Sequence, residues 1–396
     1  MSRLALLLAF VLPLVLPWTR AHADRSADYV PAPHHWQTRS PADAGFDPDR
    51  LAEAITTIRA TAVVTPSDMH QVLLDHYRTR EPNYRVLGPT RDRVGDAGIV
   101  LRGGYKVAEW GDVTRADMTF SAVKSYLATV AGLLWADGRI ADLDDRVAGY
   151  VDPGPFDSDH NRSITWRHLL QQTSDWQGSL WDIPDWADRP EGATEADWPN
   201  RPLSPPGSRF KYNDVRINLL ALSLLQVARE PLPRLLRERI MDPIGASSTW
   251  RWHGYHNAWI EIDGLRMQSV SGGGHFGGGM MISADDHARF GLLMLRRGQW
   301  GDRRLVPESW IDQMRQASPV KADYGLLWWL NTERAAIPEA PESAYWAAGF
   351  GGHYLYIDEA NDLVIVLRWL PDLRTSIAAI LAALEPNPGR SPDPAQ

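Results

Sequence analysis

From Ser121 to Gly138 the chain reads SAVKSYLATVAGLLWADG, a run so apolar that it belongs in the interior of any fold this protein adopts. Val123, Leu127, Val130 and Leu134 recur at helical spacing until Asp137-Gly138 closes the run, which predicts a buried central helix. Ser121 and Lys124 then fall in its first turn, where positions i and i+3 are neighbours and a hydroxyl can touch an amine. Such a pair can form an activated nucleophile, at a helix end whose N–H groups and dipole favour a developing oxyanion. The competing reading is a capping serine beside a solvated lysine, although a cation in the first turn opposes the dipole.

Lysine is a marked choice in this chain. Lys106, Lys124, Lys211 and Lys321 are its only four, arginine supplying the remaining positive charge. Arginine does not release its proton to act as a base, whereas a buried lysine can. Ser208-Arg-Phe-Lys211 and Ser318-Pro-Val-Lys321 repeat the spacing. The first follows the turn signal Pro205-Pro206-Gly207, and the second carries Pro319 and reads as a loop or a helix start. Context therefore singles out Ser121.

The first 23 residues have an arginine-bearing start, an apolar stretch and Ala21-His22-Ala23, the pattern of a secretory signal peptide. Pro13 and Pro17 interrupt a run short for a membrane anchor, and no later segment approaches a spanning length. The expected mature protein is exported, periplasmic or secreted, with no membrane span. The chain has no cysteine, so its stability is expected from a large core and a thiol nucleophile is excluded. A net charge of −8 without any basic run argues against a nucleic-acid partner.

Residues 24–45 read as an extended N-terminal arm and 46–390 as one composite domain. AGIVLRGGYKVAEWG (97–111) reads as a hairpin turning at Gly103-Gly104, with Lys106 an exposed strand residue. Residues 139–180 read as helical, and 182–207 as a long acidic loop rich in tryptophan and proline, a possible cover for a site. Tyr212-Asn213-Asp214 opens another apolar helix, Ser283 caps a further one, 354–369 reads as two strands and 374–384 as a last helix. Strands early and late with helices between predict an α+β fold, its antiparallel sheet assembled from both chain ends, with a mainly helical insertion over approximately 137–279.

Several chemistries are missing from the sequence. There is no G-x-S-x-G elbow, no H-E-x-x-H zinc helix and no glycine-lysine P-loop. Gly272-Gly-Gly274-His-Phe-Gly277 fits G-x-G-x-x-G, but without a clear preceding strand it reads as a loop and not as a dinucleotide site. His34-His35 reads as a solvated pair. No metal and no cofactor are expected.

The layout resembles the serine β-lactamase and penicillin-binding superfamily, in particular its class C-like branch with carboxylesterases, D-amino-acid peptidases and 6-aminohexanoate-oligomer hydrolases. Ser121-Ala-Val-Lys124 matches S-x-x-K, Tyr212-Asn213-Asp214 stands at Y-x-N, and Trp346-Ala-Ala-Gly349-Phe350 stands at the third motif on a late strand, over roughly residues 40–385. The resemblance implies Ser121 as nucleophile with Lys124 and Tyr212 sharing the base role. It also implies an oxyanion hole from Ser121 and the 347–350 strand, and substrate contacts from Asp214, Trp176, Gly349 and Phe350.

Two departures stand out. Asp214 replaces an asparagine, exchanging a two-way amide for an acceptor that disfavours anionic substrates and could hold Lys124 protonated. No K-T-G is present, so the lysine that reads a β-lactam carboxylate is missing. The expected function is cleavage of a small-molecule ester or amide through an acyl-enzyme. Penicillin-binding, D-amino-acid peptidase or β-lactamase activity, and an inactive binding protein on the same fold, are the alternatives. The sequence does not specify an oligomeric state.

Overall fold

The computed structural model describes residues 29–385 apart from Thr65 and Pro153, so the expected signal peptide lies outside the described residues. Helices α1 (Pro48–Ala60) and α2 (Met69–Tyr77) precede the hairpin β1 (Ala97–Arg102) and β2 (Tyr105–Trp110). After β3 (Asp117–Met118), one 3-10 turn over Phe120–Ala122 leads into α3 (Val123–Ala136). The next stretch holds α4 (Asp159–Arg162), α5 (Trp166–Leu170), a small hairpin of β4 (Ser179–Leu180) with β5 (Ile183–Pro184), and short 3-10 turns. Then come α6 (Asp214–Ala228), α7 (Leu232–Leu236), β6 (Arg251–His253), the hairpin of β7 (Trp259–Ile262) with β8 (Leu265–Gln268), β9 (Gly279–Ile282) and α8 (Ala284–Leu295). The chain closes with β10 (Gln299–Trp300), β11 (Arg303–Arg304), α9 (Glu308–Met314), β12 (Trp329–Leu330), β13 (Tyr345–Gly349), β14 (His353–Asp358), β15 (Leu363–Arg368) and α10 (Leu373–Ala382).

The main sheet has the order β12-β13-β14-β15-β1-β2, antiparallel throughout. β1 pairs with β15 from Ala97 opposite Arg368 to Arg102 opposite Leu363, so both chain ends build one sheet, as the sequence predicts. Alternation along these strands sends side chains to opposite faces. Ile99, Leu101, Val364 and Val366 enter the large core around α3 and α8, while Val100, Leu363, Ile365 and Leu367 pack with Leu51 and Ile58 of α1 and Ile377 and Ile380 of α10. Gly291 lets α8 lie close on the sheet, since a Cβ there would stand 2.6 Å from Leu355 and Val364 carbons.

Three expectations need correction. Residues 139–180 are mostly irregular: their apolar side chains, among them Val147, Phe156, Ile164 and Trp166, anchor a meandering chain in the core. The insertion over 137–279 is accordingly less helical than expected. Lys106 is not exposed, because Asp285 of α8 and Glu109 hold its ammonium at 2.8 and 2.7 Å. Among the described residues no helix is long and apolar enough to cross a membrane.

Candidate active site

The nucleophile candidate is placed by α3. All of Val123–Leu134 is buried, which fixes the helix axis and directs Lys124 inward with a side chain only 2% exposed. Phe120, at φ 48°, turns the chain from β3 into the helix. That region costs a bulky residue energy, so the turn is held by its surroundings. Gly349 is part of them: a Cβ there would stand 2.1 Å from the Thr119 carbonyl oxygen, so glycine lets β13 press against the serine turn. Ser121 makes no capping hydrogen bond. Its Oγ instead accepts from Lys124 Nζ at 2.9 Å.

Tyr212 and Asp214 arrive at the start of α6. Asn213 is the N-cap, accepting from Arg216 N, while its amide donates to the Asp185 carbonyl at 2.7 Å. Asp214 N donates to Asp188, which ties the 182–207 segment to the helix end. An acid at that position also complements the helix dipole. Tyr212 stacks on Trp329, with Lys124 Nζ 4.7 Å and the Arg189 guanidinium 5.0 Å from its ring centre.

Ser121, Tyr212, Asp214, Gly349 and Phe350 line one cavity of about 250 Å³ with Leu73, Tyr77, Phe120, Trp329, Arg189 and His275. Trp176, expected to contact substrate, does not line it. Its ring lies in the core against Gly178 and donates to the Pro155 carbonyl at 2.7 Å. A buried tryptophan beside a loop looks the same in sequence whether it faces a ligand or a core.

Four charged groups at the site have no local sequence pattern. Asp214 Oδ1 accepts from Lys124 at 2.5 Å, and Oδ2 faces His275 Nδ1 at 3.2 Å and Arg189 Nη1 at 3.4 Å. His275 Nε2 meets Glu81 Oε2 at 2.8 Å, and Arg189 pairs with Asp188. His275 belongs to the glycine-rich 272–277 loop, and Asp188-Arg189 to the long acidic loop. Both loops are visible in sequence, and the acidic one is expected there to cover a site, but the charged residues they bring to Asp214 are not.

Burial lowers the Lys124 ammonium below the ordinary lysine range, although Asp214 opposes it. Burial would raise Asp214, but Lys124, Arg189 and His275 hold it well below the carboxylate range. Burial and Asp214 push the Tyr212 phenol up, opposed by its hydrogen bond with Ser121. Burial favours neutral His275, yet its bonds to Asp214 and Glu81 raise it to about 9. Glu81, Asp188 and His275 have the donor chemistry of a metal site, and one ligand atom from each lies within 4.8 Å of the others. Those atoms are already engaged by one another, by Asp214 and by Arg189, so the cluster is closed by its own cations.

Solved structures share the overall fold of this chain. EstCE1, described as a hydrolase with promiscuous acyltransferase activity, superposes with TM-score 0.53 at 18% identity, covering 85% of this chain and 98% of that one. A penicillin-binding protein homologue from Caulobacter crescentus gives 0.54 at 17%, again with 85% and 98% covered. At such identities the likeness is one of fold. A Salmonella paratyphi B protein, provisionally named a D-alanyl-D-alanine carboxypeptidase, is 25% identical over 195 residues, which spans 41% of this chain and only 45% of that relative. The beta-lactamase family profile matches residues 85–369, most of the chain, and this protein therefore belongs to the beta-lactamase family.

Proposed function

We propose that the protein is an exported serine hydrolase that cleaves an ester or amide through an acyl-enzyme on Ser121. The observation that carries this reading is the 2.9 Å contact between a buried lysine and a serine hydroxyl at the wall of a cavity. Lys124, once neutral, takes the Ser121 proton as Oγ attacks the carbonyl carbon. Tyr212, hydrogen-bonded to Ser121, passes a proton to the departing heteroatom and is reprotonated from Lys124. Backbone N–H groups of Ser121 and of the 347–350 strand stabilise the oxyanion. Water then attacks the acyl carbon, transferring its proton to the same pair, and Ser121 is regenerated.

Leu73, Tyr77, Phe120, Trp329 and Phe350 give the cavity apolar walls, the two cations in its lining, Arg189 and His275, are already paired with Asp188, Asp214 and Glu81, and Ala347 and Ala348 offer no side-chain donor beside Gly349. This favours an uncharged substrate with an apolar acyl group over a carboxylate-bearing penicillin. The test is a fluorophosphonate probe with a panel of nitrophenyl esters, amides and β-lactams. The wild type is expected to label at Ser121 and to turn over neutral esters, and Ser121→Ala to abolish both while folding normally, since no cap is lost. Hydrolysis by Ser121→Ala near the wild-type rate would discard the assignment.

A further inference from the structure

A carboxylate at position 214 sets the site a problem. An anion 2.5 Å from Lys124 Nζ strengthens the amine's hold on its proton, and a lysine that keeps its proton cannot take one from Ser121. Asp214, however, is shared. Only Oδ1 faces Lys124, while Oδ2 faces His275 Nδ1 at 3.2 Å and Arg189 Nη1 at 3.4 Å. Behind these, Glu81 Oε2 holds His275 Nε2 at 2.8 Å and Asp188 holds Arg189. Asp214, His275 and Glu81 have side chains 0%, 2% and 3% exposed, so water does little to screen the chain of charges.

We propose that His275 and Arg189 are positioning residues that draw the charge of Asp214 away from Lys124, leaving the lysine able to serve as base beside a carboxylate. The functional meaning of this assignment rests on the serine-hydrolase reading, while the charge coupling itself does not. The groups facing His275 are Tyr77 of α2, its ring tilted by 49° at 3.8 Å between ring centres, Glu81 and Tyr84 beyond that helix, Asp188 and Arg189 of the acidic loop, and Asp214 of α6. Three carboxylates and one guanidinium surround the imidazole, so it stays a cation through neutral pH, as its rise to about 9 indicates. Removing that cation leaves more of the Asp214 charge to Lys124. Removing Asp214 takes away the anion nearest the amine, while the cations His275 and Arg189 stay in place on Glu81 and Asp188. The two substitutions therefore move the Lys124 titration in opposite directions.

With only four lysines in the chain, NMR of protein labelled with carbon-13 at lysine Cε can follow Lys124 directly. In His275→Gln its titration is expected to move up by on the order of one pH unit, in Asp214→Asn down by a similar amount, and in the double variant to lie between them. The ascending limb of kcat/KM against pH on a neutral nitrophenyl ester follows the same displacements. An unmoved Lys124 titration in His275→Gln, with rates lowered equally at every pH, would overturn the proposal. A Lys124 shift without any matching limb in the ester profile supports the charge assignment and overturns the hydrolase reading instead. Should His275→Gln not fold, Glu81→Gln, which frees His275 to lose its proton, gives a smaller upward move, and its absence would count equally against the idea.

Discussion

Two buried clusters of charge meet at the start of α6, each using a residue of that helix and residues of the acidic loop, but they differ in the cations they gather. In one, Arg216 of α6 and Arg201 of the acidic loop clamp Asp175 and Asp185 at 2.8–3.1 Å. In the other, Asp214 of α6 and Asp188-Arg189 of the same loop gather Lys124, His275 and Glu81 beside the cavity. Arginine keeps its proton at any working pH, so the first cluster holds the loop and does nothing else. Lysine and histidine can exchange theirs, and both stand in the cluster that faces Ser121. The lesson is that burial and pairing alone do not mark a site. Titratable cations next to an accessible nucleophile do.

The sharpest way to break this comparison is to exchange the cation types. Lys124→Arg keeps the charge but removes the proton acceptor, and turnover is expected to fall as far as in Lys124→Ala, by roughly 10³-fold or more. Retained activity would reduce Lys124 to an electrostatic partner and erase the distinction between the clusters. Tyr212→Phe is expected to cost roughly 10²–10⁴-fold in kcat, the worth of a positioned acid–base group.

Arg216→Met addresses the other cluster. It leaves the two buried carboxylates Asp175 and Asp185 with Arg201 as their one remaining arginine, and urea denaturation should show a loss of about 3–5 kcal/mol, with the folded fraction still labelled at Ser121. A loss under about 1 kcal/mol would show that the arginine clamp is not what holds the loop.

The third contrast is in pH. His275 has a folded value of about 9, above its unfolded value of about 6.5, so its contribution to stability is complete below pH 6.5 and is lost as pH rises through 9. The difference in unfolding free energy between wild type and His275→Gln should therefore shrink by roughly 3 kcal/mol across that window. A difference that stayed constant from pH 6 to 10 would mean that His275 is not a cation in the fold.

The smallest effect concerns substrate charge. The sequence alone suggested that Asp214 repels anionic substrates, but the carboxylate has no exposed surface and three cations cover it. The ratio of kcat/KM for a neutral ester to that for a penicillin should then change by less than about threefold in Asp214→Asn, as expected for a screened charge. A larger swing toward the penicillin would restore the direct role.

Some of this molecule was readable residue by residue. The α3 helix announces itself because its apolar spacing is dense and ends at Asp137-Gly138, and the Ser283 cap of α8 and the turn at Asp358–Asp362 are equally local. Asp47 followed by Pro48 is a local signal of the same kind, an N-cap with proline at N1, and it opens α1. The 139–180 stretch misleads because periodic apolar residues can anchor an irregular chain as well as a helix. Lys106 misleads because one of its two partners, Asp285, lies far along the chain on α8.

The sequence by itself determined the buried helix and the serine–lysine pair, because each depends on side chains a few residues apart along one element, and the order of strands early and late pointed to a sheet built from both chain ends. The tertiary structure decided what the pair is paired with. Glu81, Asp188, Arg189 and His275 come from three separate loops, and no spacing in the chain links them to Lys124. Charges act through distance and dielectric, which only the folded packing sets, so the protonation of the site belongs to the fold and not to any motif in it.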